Sequence, residues 1–277
     1  MKKEAINMKL IIRADDYGIT DSVTWAILRG FKEGVITSTG LMSNMPSSEE
    51  AARQAKLHPQ YCFGQDINIA TGKCVADSAL LSSLVDENGY FRRSSIIRGL
   101  LQQGEEPFPY KEVRLEVEAQ LLRFIQLVGR KPEYLNGHAF RSPNFLQALQ
   151  EVAEQYGIVC MDEVVKTYDL ESKAFHGSGK FASGWYHLPY ETMSQIETDT
   201  EGYVVEHFEE LLAHDIAYVI CHPGYVSTEL MECSSLNLVR MNDFKMCISP
   251  KVKALIQQHH VELISIKDFC ELKAWKK

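Results

Sequence analysis

The sequence predicts an α/β protein whose parallel sheet is covered by helices. In the first seventy residues, short β-branched apolar runs alternate with amphipathic stretches in the order β-α-β-α-β, the pattern that parallel sheets require. The alternation continues to the C-terminal end as about seven strand–helix units without a clean linker, which favours one domain over residues 1–277. Apolar residues at 45% and charged residues at 24% are ordinary for a globular chain, and 277 residues bury a core large enough to need no staples.

Each element has a local reason. Lys9 to Ala14 is an apolar run, stopped by Asp15-Asp16-Tyr17-Gly18; residues 1–7 read as an N-terminal extension, with Met8 an alternative start. Val23, Ile27 and Phe31 make one face of a helix closed by Gly34, with Asp21 or Ser22 placed to cap it and Trp25 read as core. Val35–Met42 is strand-like, and Ser47-Ser-Glu-Glu50 resembles a capping box for a helix to about Leu57. Tyr61–Ile69 is a third strand. Residues 70–109 form an irregular insertion with one short helix near Ile96–Leu101, and such insertions are typically functional. Val113 to Val128 is a long amphipathic helix ended by Gly129. Tyr134-Leu135 is a strand stub, Ser142-Pro143 starts a helix running to Tyr156-Gly157, and Ile158–Met161 is a strand ending at Asp162. Lys173–Gly184 reads as a mobile loop. A helix over 203–213, a strand at Ala217–Ile220, a helix from Pro250 to His259, a strand at Val261–Ile264 and a helix from Lys267 to Trp275 complete the chain.

The bulk properties exclude several functions. A formal charge of −8 argues against nucleic acid and anionic membranes. No apolar run approaches the roughly 20 residues that span a bilayer, and the N-terminus lacks the apolar stretch of a signal peptide. Seven cysteines at 62, 74, 160, 221, 233, 247 and 270 make no CxxC pair, which reads as a reduced, cytoplasmic chain.

Four strand ends carry polar side chains: Asp15 with Asp16, Asp66 with Asn68, Asn136 with His138, and His222. Catalytic groups gather at the carboxyl ends of strands in sheets fed by helices. Two adjacent carboxylates repel unless a cation or proton neutralises them, so a metal is the first thing to look for; the plain alternative is helix capping. Asp16, Asp66 and His138 are of the types a hard divalent cation takes, although polar strand ends occur in any α/β protein. His222 before Pro223 fits a catalytic imidazole and a backbone-tied structural one about equally.

At this point the sequence resembles the YdjC/ChbG-like carbohydrate deacetylases. The resemblance covers nearly the whole chain and rests on Ile12-Arg-Ala-Asp-Asp-Tyr-Gly18, Gly34-Val-Ile-Thr-Ser-Thr39, Phe124-Ile-Gln-Leu-Val-Gly-Arg-Lys-Pro132, Cys221-His-Pro223 and Arg240. It implies a distorted (β/α) barrel of about seven strands, related to polysaccharide deacetylases. It also implies metal-dependent hydrolysis of N-acetyl groups on short chitin-type oligosaccharides built from N-acetylglucosamine. By the same resemblance Asp16 is a metal ligand, Asp15 the catalytic base, His138 a metal ligand and His222 the general acid. Where the family has a second ligand His, this chain has Asp66; Asn136 replaces an Asp, and Phe140 and Ser142 replace two later His.

These departures shape the expectations. An anionic oxygen at 66 favours the harder Mg²⁺ or Mn²⁺ over Zn²⁺, with Mg²⁺ the first expectation. Asn136 would orient a ligand imidazole without charge. Arg141 is placed to read a sugar phosphate, against a plain surface role; Trp185 is the better stacking candidate than Trp25; Asn68 is a further substrate contact. The rival reading is a catalytically weakened or silent binder of sugars or sugar phosphates on the same scaffold. A glycosidic or phosphate hydrolase is disfavoured because adjacent residues of a strand point to opposite faces. The partner expected is a small carbohydrate, with self-association left open.

Overall fold

A computed structural model describes residues 8–170, 174–176 and 192–273. Its elements are β1 (Lys9–Tyr17), α1 (Asp21–Glu33), β2 (Ser38–Leu41), α2 (Ser48–Leu57), β3 (Cys62–Ile67), α3 (Ser94–Gln102), α4 (Tyr110–Val128), β4 (Tyr134–Gly137), α5 (Pro143–Tyr156), β5 (Val159–Cys160) and α6 (Met161–Tyr168). They continue with β6 (Ala174–His176), α7 (Thr192–Ile196), α8 (Thr200–Glu206), α9 (Phe208–Leu212), β7 (Ile216–Cys221), α10 (Thr228–Cys233), α11 (Val239–Ile248), α12 (Pro250–Gln258), β8 (Glu262–Leu263) and α13 (Ile266–Leu272). The strand order is β5-β4-β3-β2-β1-β7-β6, with β8 against β1. The mostly parallel, helix-covered strand set of the expected α/β barrel class is present.

The chain divides into two compact units. The first takes the chain up to Asp15, Ser22–Thr39 and Val165–Lys273; the second takes Asp16–Asp21 and Gly40–Val164. In the first unit β1 and β7 pair in parallel from Lys9↔Ile216 to Ala14↔Cys221, and β6 pairs with β7. Asp15 and His222 therefore each follow the same last rung. In the second unit β3 pairs with β4 through Asp66↔Asn136, and β4 with β5 through Leu135↔Cys160. Parallel register thus sets polar residues at the carboxyl ends of neighbouring strands within each unit.

The second unit's core joins α4, α5 and the insertion: Val117, Leu121, Phe145 and Leu149 pack with Leu81, Phe91, Phe108 and Phe140. Helix α5 begins as the sequence predicts, with Ser142 Oγ accepting from Phe145 N–H at 3.4 Å and Pro143 in the first turn; Gly157, at φ 61, ends it. The insertion is tied down by Glu116. This buried carboxylate accepts the backbone N–H groups of Val75 (3.0 Å) and Ala76 (2.9 Å) and the side-chain amide of Gln120 (2.7 Å).

Several local expectations are corrected. Trp25 is 46% exposed: it lies two positions from both Val23 and Ile27, about half a turn off the buried stripe. Ser47 precedes α2 without a capping bond, because its hydroxyl donates to Asp21 while Glu50 binds Arg53 and Gln54. Asp21 lies inside the first turn of α1 rather than capping it. The strand expected over 158–161 is two residues long, since Met161 already opens α6, whose first turn holds Asp162 and Glu163. The helix expected over 203–213 breaks at His207 into α8 and α9. Helices α10 and α11 were not anticipated. Within Lys173–Gly184, Ala174–His176 is a strand, not a loop; the rest of that stretch, and Trp185, lie outside the described residues. Among the described residues all cysteines are free and most are buried, and no helix is long and apolar enough to cross a membrane.

Replacing Glu116 by Ala leaves the half-buried amides of Val75 and Ala76 and the buried Gln120 amide without this acceptor, and is expected to cost about 1–3 kcal/mol of unfolding free energy. Urea denaturation checks this, and an unchanged midpoint would mean that the insertion is anchored elsewhere.

Candidate active site

The first unit contributes a buried ion pair at the end of β1. Arg13 and Asp15 lie two apart on a strand and so share a face. Arg13 Nε donates to Asp15 Oδ1 at 2.6 Å and Nη2 to Oδ2 at 2.8 Å, the two-pronged fit of guanidinium to carboxylate. The guanidinium also lies over the Tyr218 ring, 5.5 Å from its centroid. Each Asp15 oxygen keeps a further lone pair for a proton or water.

His222 stands one residue past β7, and its backbone N–H donates to Asp243 Oδ2 at 2.7 Å. The Thr200 hydroxyl donates to Asp243 Oδ1 at 2.8 Å. Burial raises the Asp243 carboxyl above the usual carboxylate range; the charge of His222 and the bonds from His222 N–H and Thr200 pull it back down. Next to it, the Cys221 thiol is held well above its usual range by the neighbouring Cys247 thiol and by burial.

The second unit brings Asp16 and His138 together. Asp16, at φ 71, occupies the left-handed region, costly for a residue with a Cβ. Asp16 therefore departs from regular strand conformation although it lies within β1. Asp16 Oδ1 lies 3.0 Å from His138 Nδ1, with Asp16 almost wholly buried. His138 is fixed by its own N–H, which donates to Ile67 O at 2.9 Å. Beside it, Ala139 also has positive φ.

Asp66 is fully buried on β3, and the Asn136 amide opposite donates to its Oδ1 at 2.9 Å. The Asn136 amide thus serves Asp66 across the two strands. Asn68 ties two loops together: its amide donates to Asn44 Oδ1 and Thr71 O, and its Oδ1 accepts from Ala70 N–H. Arg141 is 59% exposed at its side chain and pairs with Asp162 at 2.7 Å.

Among the described residues no group of three or more His, Cys, Asp or Glu side chains stands close enough to hold a metal ion. Asp16 and His138 fit one as a pair. Two donors each about 2.1 Å from an ion and at right angles to it lie about 3 Å apart. A carboxylate oxygen with an imidazole nitrogen is also a donor set that Mn²⁺, Mg²⁺ and Zn²⁺ all accept.

Sequence reasoning missed three contributors. Arg13 had a signal: a charged residue inside an apolar strand, two before an acid, needs that acid as its counter-charge. Gly40, where a Cβ would lie 2.2 Å from the Asp66 carboxyl, had one too, since glycine inside a strand marks a close approach. Asp243 lies on a helix that the sequence did not reveal.

The family of YdjC-like proteins matches residues 9–258, and the chain belongs to that family. Its relatives include "Carbohydrate deacetylase 2" of Listeria innocua serovar 6a, 31% identical over 264 residues, covering 94% of this chain and 98% of the relative. The "Carbohydrate deacetylase" of Geobacillus stearothermophilus is 30% identical over 271 residues, covering 95% and 98%. A crystal structure from Enterococcus faecalis V583, provisionally described as a cellobiose-phosphate cleavage protein, shares the fold with a TM-score of 0.74 at 23% identity, covering 95% of this chain and 99% of that one.

Substituting Met for Arg13 removes both guanidinium bonds from a buried carboxylate, and is expected to cost about 3–5 kcal/mol of stability by urea unfolding. For Asp243 the sign is set by its raised carboxyl. The native state holds that proton more tightly than the unfolded chain, so its contribution is complete below the usual carboxylate pKa and is lost as pH rises through the raised value. Asp243→Asn should flatten that decline in urea midpoints measured from about pH 4 to 8; an undiminished slope would assign it to other groups.

Proposed function

We propose that this chain is a carbohydrate deacetylase that hydrolyses the acetamido group of N-acetylglucosamine units in short chitin-type oligosaccharides. The observation that carries the reading is the approach of Asp16 to His138 at 3.0 Å, immediately after the Asp15 carboxylate in the chain. Family membership and relatives named as carbohydrate deacetylases support it.

In this reading Asp16 and His138 would hold a divalent cation as a pair, while Asp66, expected from the sequence as a third ligand, does not form a three-residue group with them. Mg²⁺ is favoured by the oxygen donors, ahead of Mn²⁺ and Zn²⁺. Such an ion supplies Lewis acidity toward a carbonyl and acidifies bound water. The remaining chemistry belongs to the chain. Asp15, aimed by Arg13, accepts the proton of the attacking water. His222 donates a proton to the departing amine nitrogen, and the Asp243 carboxylate fixes the peptide that carries it. Acetate and a free amino sugar are the products: the amide C–N bond breaks, and a C–O bond to water oxygen forms. Arg141 carries the charge to meet a phosphorylated sugar, but only by exchanging Asp162 for the phosphate.

The second reading is a weakened or silent binder of sugars or sugar phosphates, favoured by the lack of a three-ligand group among the described residues. Acetate release from N-acetylglucosamine oligomers with Mg²⁺, Mn²⁺, Co²⁺ or Zn²⁺ separates the two. The deacetylase reading expects release that Asp15→Asn lowers by about 10²–10⁴-fold. A silent binder releases no acetate with any metal and keeps its sugar affinity in the same variant.

A further inference from the structure

The chain that leaves β7 with His222 is held on both sides by helices of the first unit. His222 N–H donates to Asp243 Oδ2 at 2.7 Å and Gly224 N–H to Arg240 O at 3.1 Å, both acceptors belonging to α11. Pro223, between them, has no N–H to place. Tyr225 N–H then donates to Ser22 O of α1 at 3.4 Å, and the Ser22 and Ser227 hydroxyls meet at 3.1 Å. Every main-chain donor from 222 to 225 is thus committed to α11 or α1.

Gly224 is the tightest point of this loop. A Cβ built there would lie 3.0 Å from Val23 Cγ2 on α1, and 3.2 Å and 3.3 Å from Cδ and Cβ of Arg240 on α11. Its φ lies outside the left-handed region, so what glycine supplies at 224 is room rather than backbone freedom. Both walls are firm. Val23 is fully buried, and Arg240, 1% exposed, donates from Nε to Leu236 O at 2.7 Å. A side chain at 224 therefore has to displace a packed neighbour or its own loop by a few tenths of an ångström.

We propose that Gly224 is a positioning residue: seated between Val23 and Arg240, it sets where the His222 peptide stands, and so where the imidazole delivers its proton. This rests on the reading in which His222 is the general acid. The helix that accepts Gly224 N–H also accepts His222 N–H, so a push at 224 works directly against the bond at 222. Proton transfer tolerates little misplacement, and about 1 Å costs roughly 10²-fold in rate. The loss falls on the transition state, because binding the sugar does not require the proton to be delivered; kcat falls while KM holds.

The test compares acetate release from N-acetylglucosamine oligomers, with each of Mg²⁺, Mn²⁺, Co²⁺ and Zn²⁺, in wild type, Gly224→Ala, Val23→Ala and the Gly224→Ala/Val23→Ala double variant. Thermal melts confirm folding, and the His222 amide resonance in NMR spectra follows its bond to Asp243. Gly224→Ala is expected to lower kcat about 10-fold with KM held within about twofold, and to move the His222 resonance. Val23→Ala removes the nearest wall atom. Alone it lowers the melting temperature; combined with Gly224→Ala it restores most of kcat and returns the resonance. If Gly224→Ala does not fold, Arg240→Met, which frees the other wall from Leu236 O, replaces it with the same sign expected in kcat and in the resonance. A folded Gly224→Ala with wild-type kcat or an unmoved resonance overturns the role. So does a fall in kcat that Val23→Ala fails to recover, since crowding was then not its cause. Wild-type protein that releases no acetate with any of the four ions overturns the general-acid reading, and this role with it, whatever the resonance shows.

Discussion

Two buried carboxylates that follow one another in the chain need two different counter-charges, and the end of β1 is built around supplying them. Asp15 is met from its own strand by Arg13, in a two-pronged ion pair. Asp16 turns through a left-handed backbone conformation and is met by the His138 imidazole. Had β1 stayed regular, the two side chains would simply have alternated, one to each face. The left-handed φ at Asp16 departs from that regular geometry at a local cost of the order of 1–3 kcal/mol, sustained by burial of the residue. Tyr17, directly after, is buried with its hydroxyl bonded to Ala51 O, which fixes the chain as it leaves the turn.

The two carboxylates are thereby made chemically unlike. One is clamped by a permanent cation on both oxygens, a geometry suited to holding an orientation while a proton comes and goes. The other sits against an imidazole, a donor that serves equally in an ion pair or beside a metal. At the end of β7 a carboxylate plays a different part: Asp243 accepts the backbone N–H of His222 and so anchors the peptide there.

How far the sequence revealed this depends on whether the signal was local. Alternating runs and the Ser142-Pro143 start exposed most strands and α5, because each is decided by a few neighbouring residues. The short β5 and the break at His207 were hidden, since helix α6 competes with the strand for the same apolar residues. Among site residues, Asp15, Asp16, Asp66, His138 and His222 were legible as polar groups at strand ends. Their partners were less so. The bond from Asn136 to Asp66 depends on the register of two strands seventy residues apart, which no local pattern encodes. Arg141 and Asn68 were likewise legible by type and place, whereas their bonds to Asp162 and to Thr71 O were not.

The anchor under the insertion has a consequence for how this fold diversifies. Glu116 grips main-chain amides of residues 75 and 76, and every non-proline residue offers an identical amide. The grip is therefore blind to side-chain identity. Evolution is free to rewrite the outward-facing letters of that segment, and with them whatever they touch, while its path over the helix stays the same.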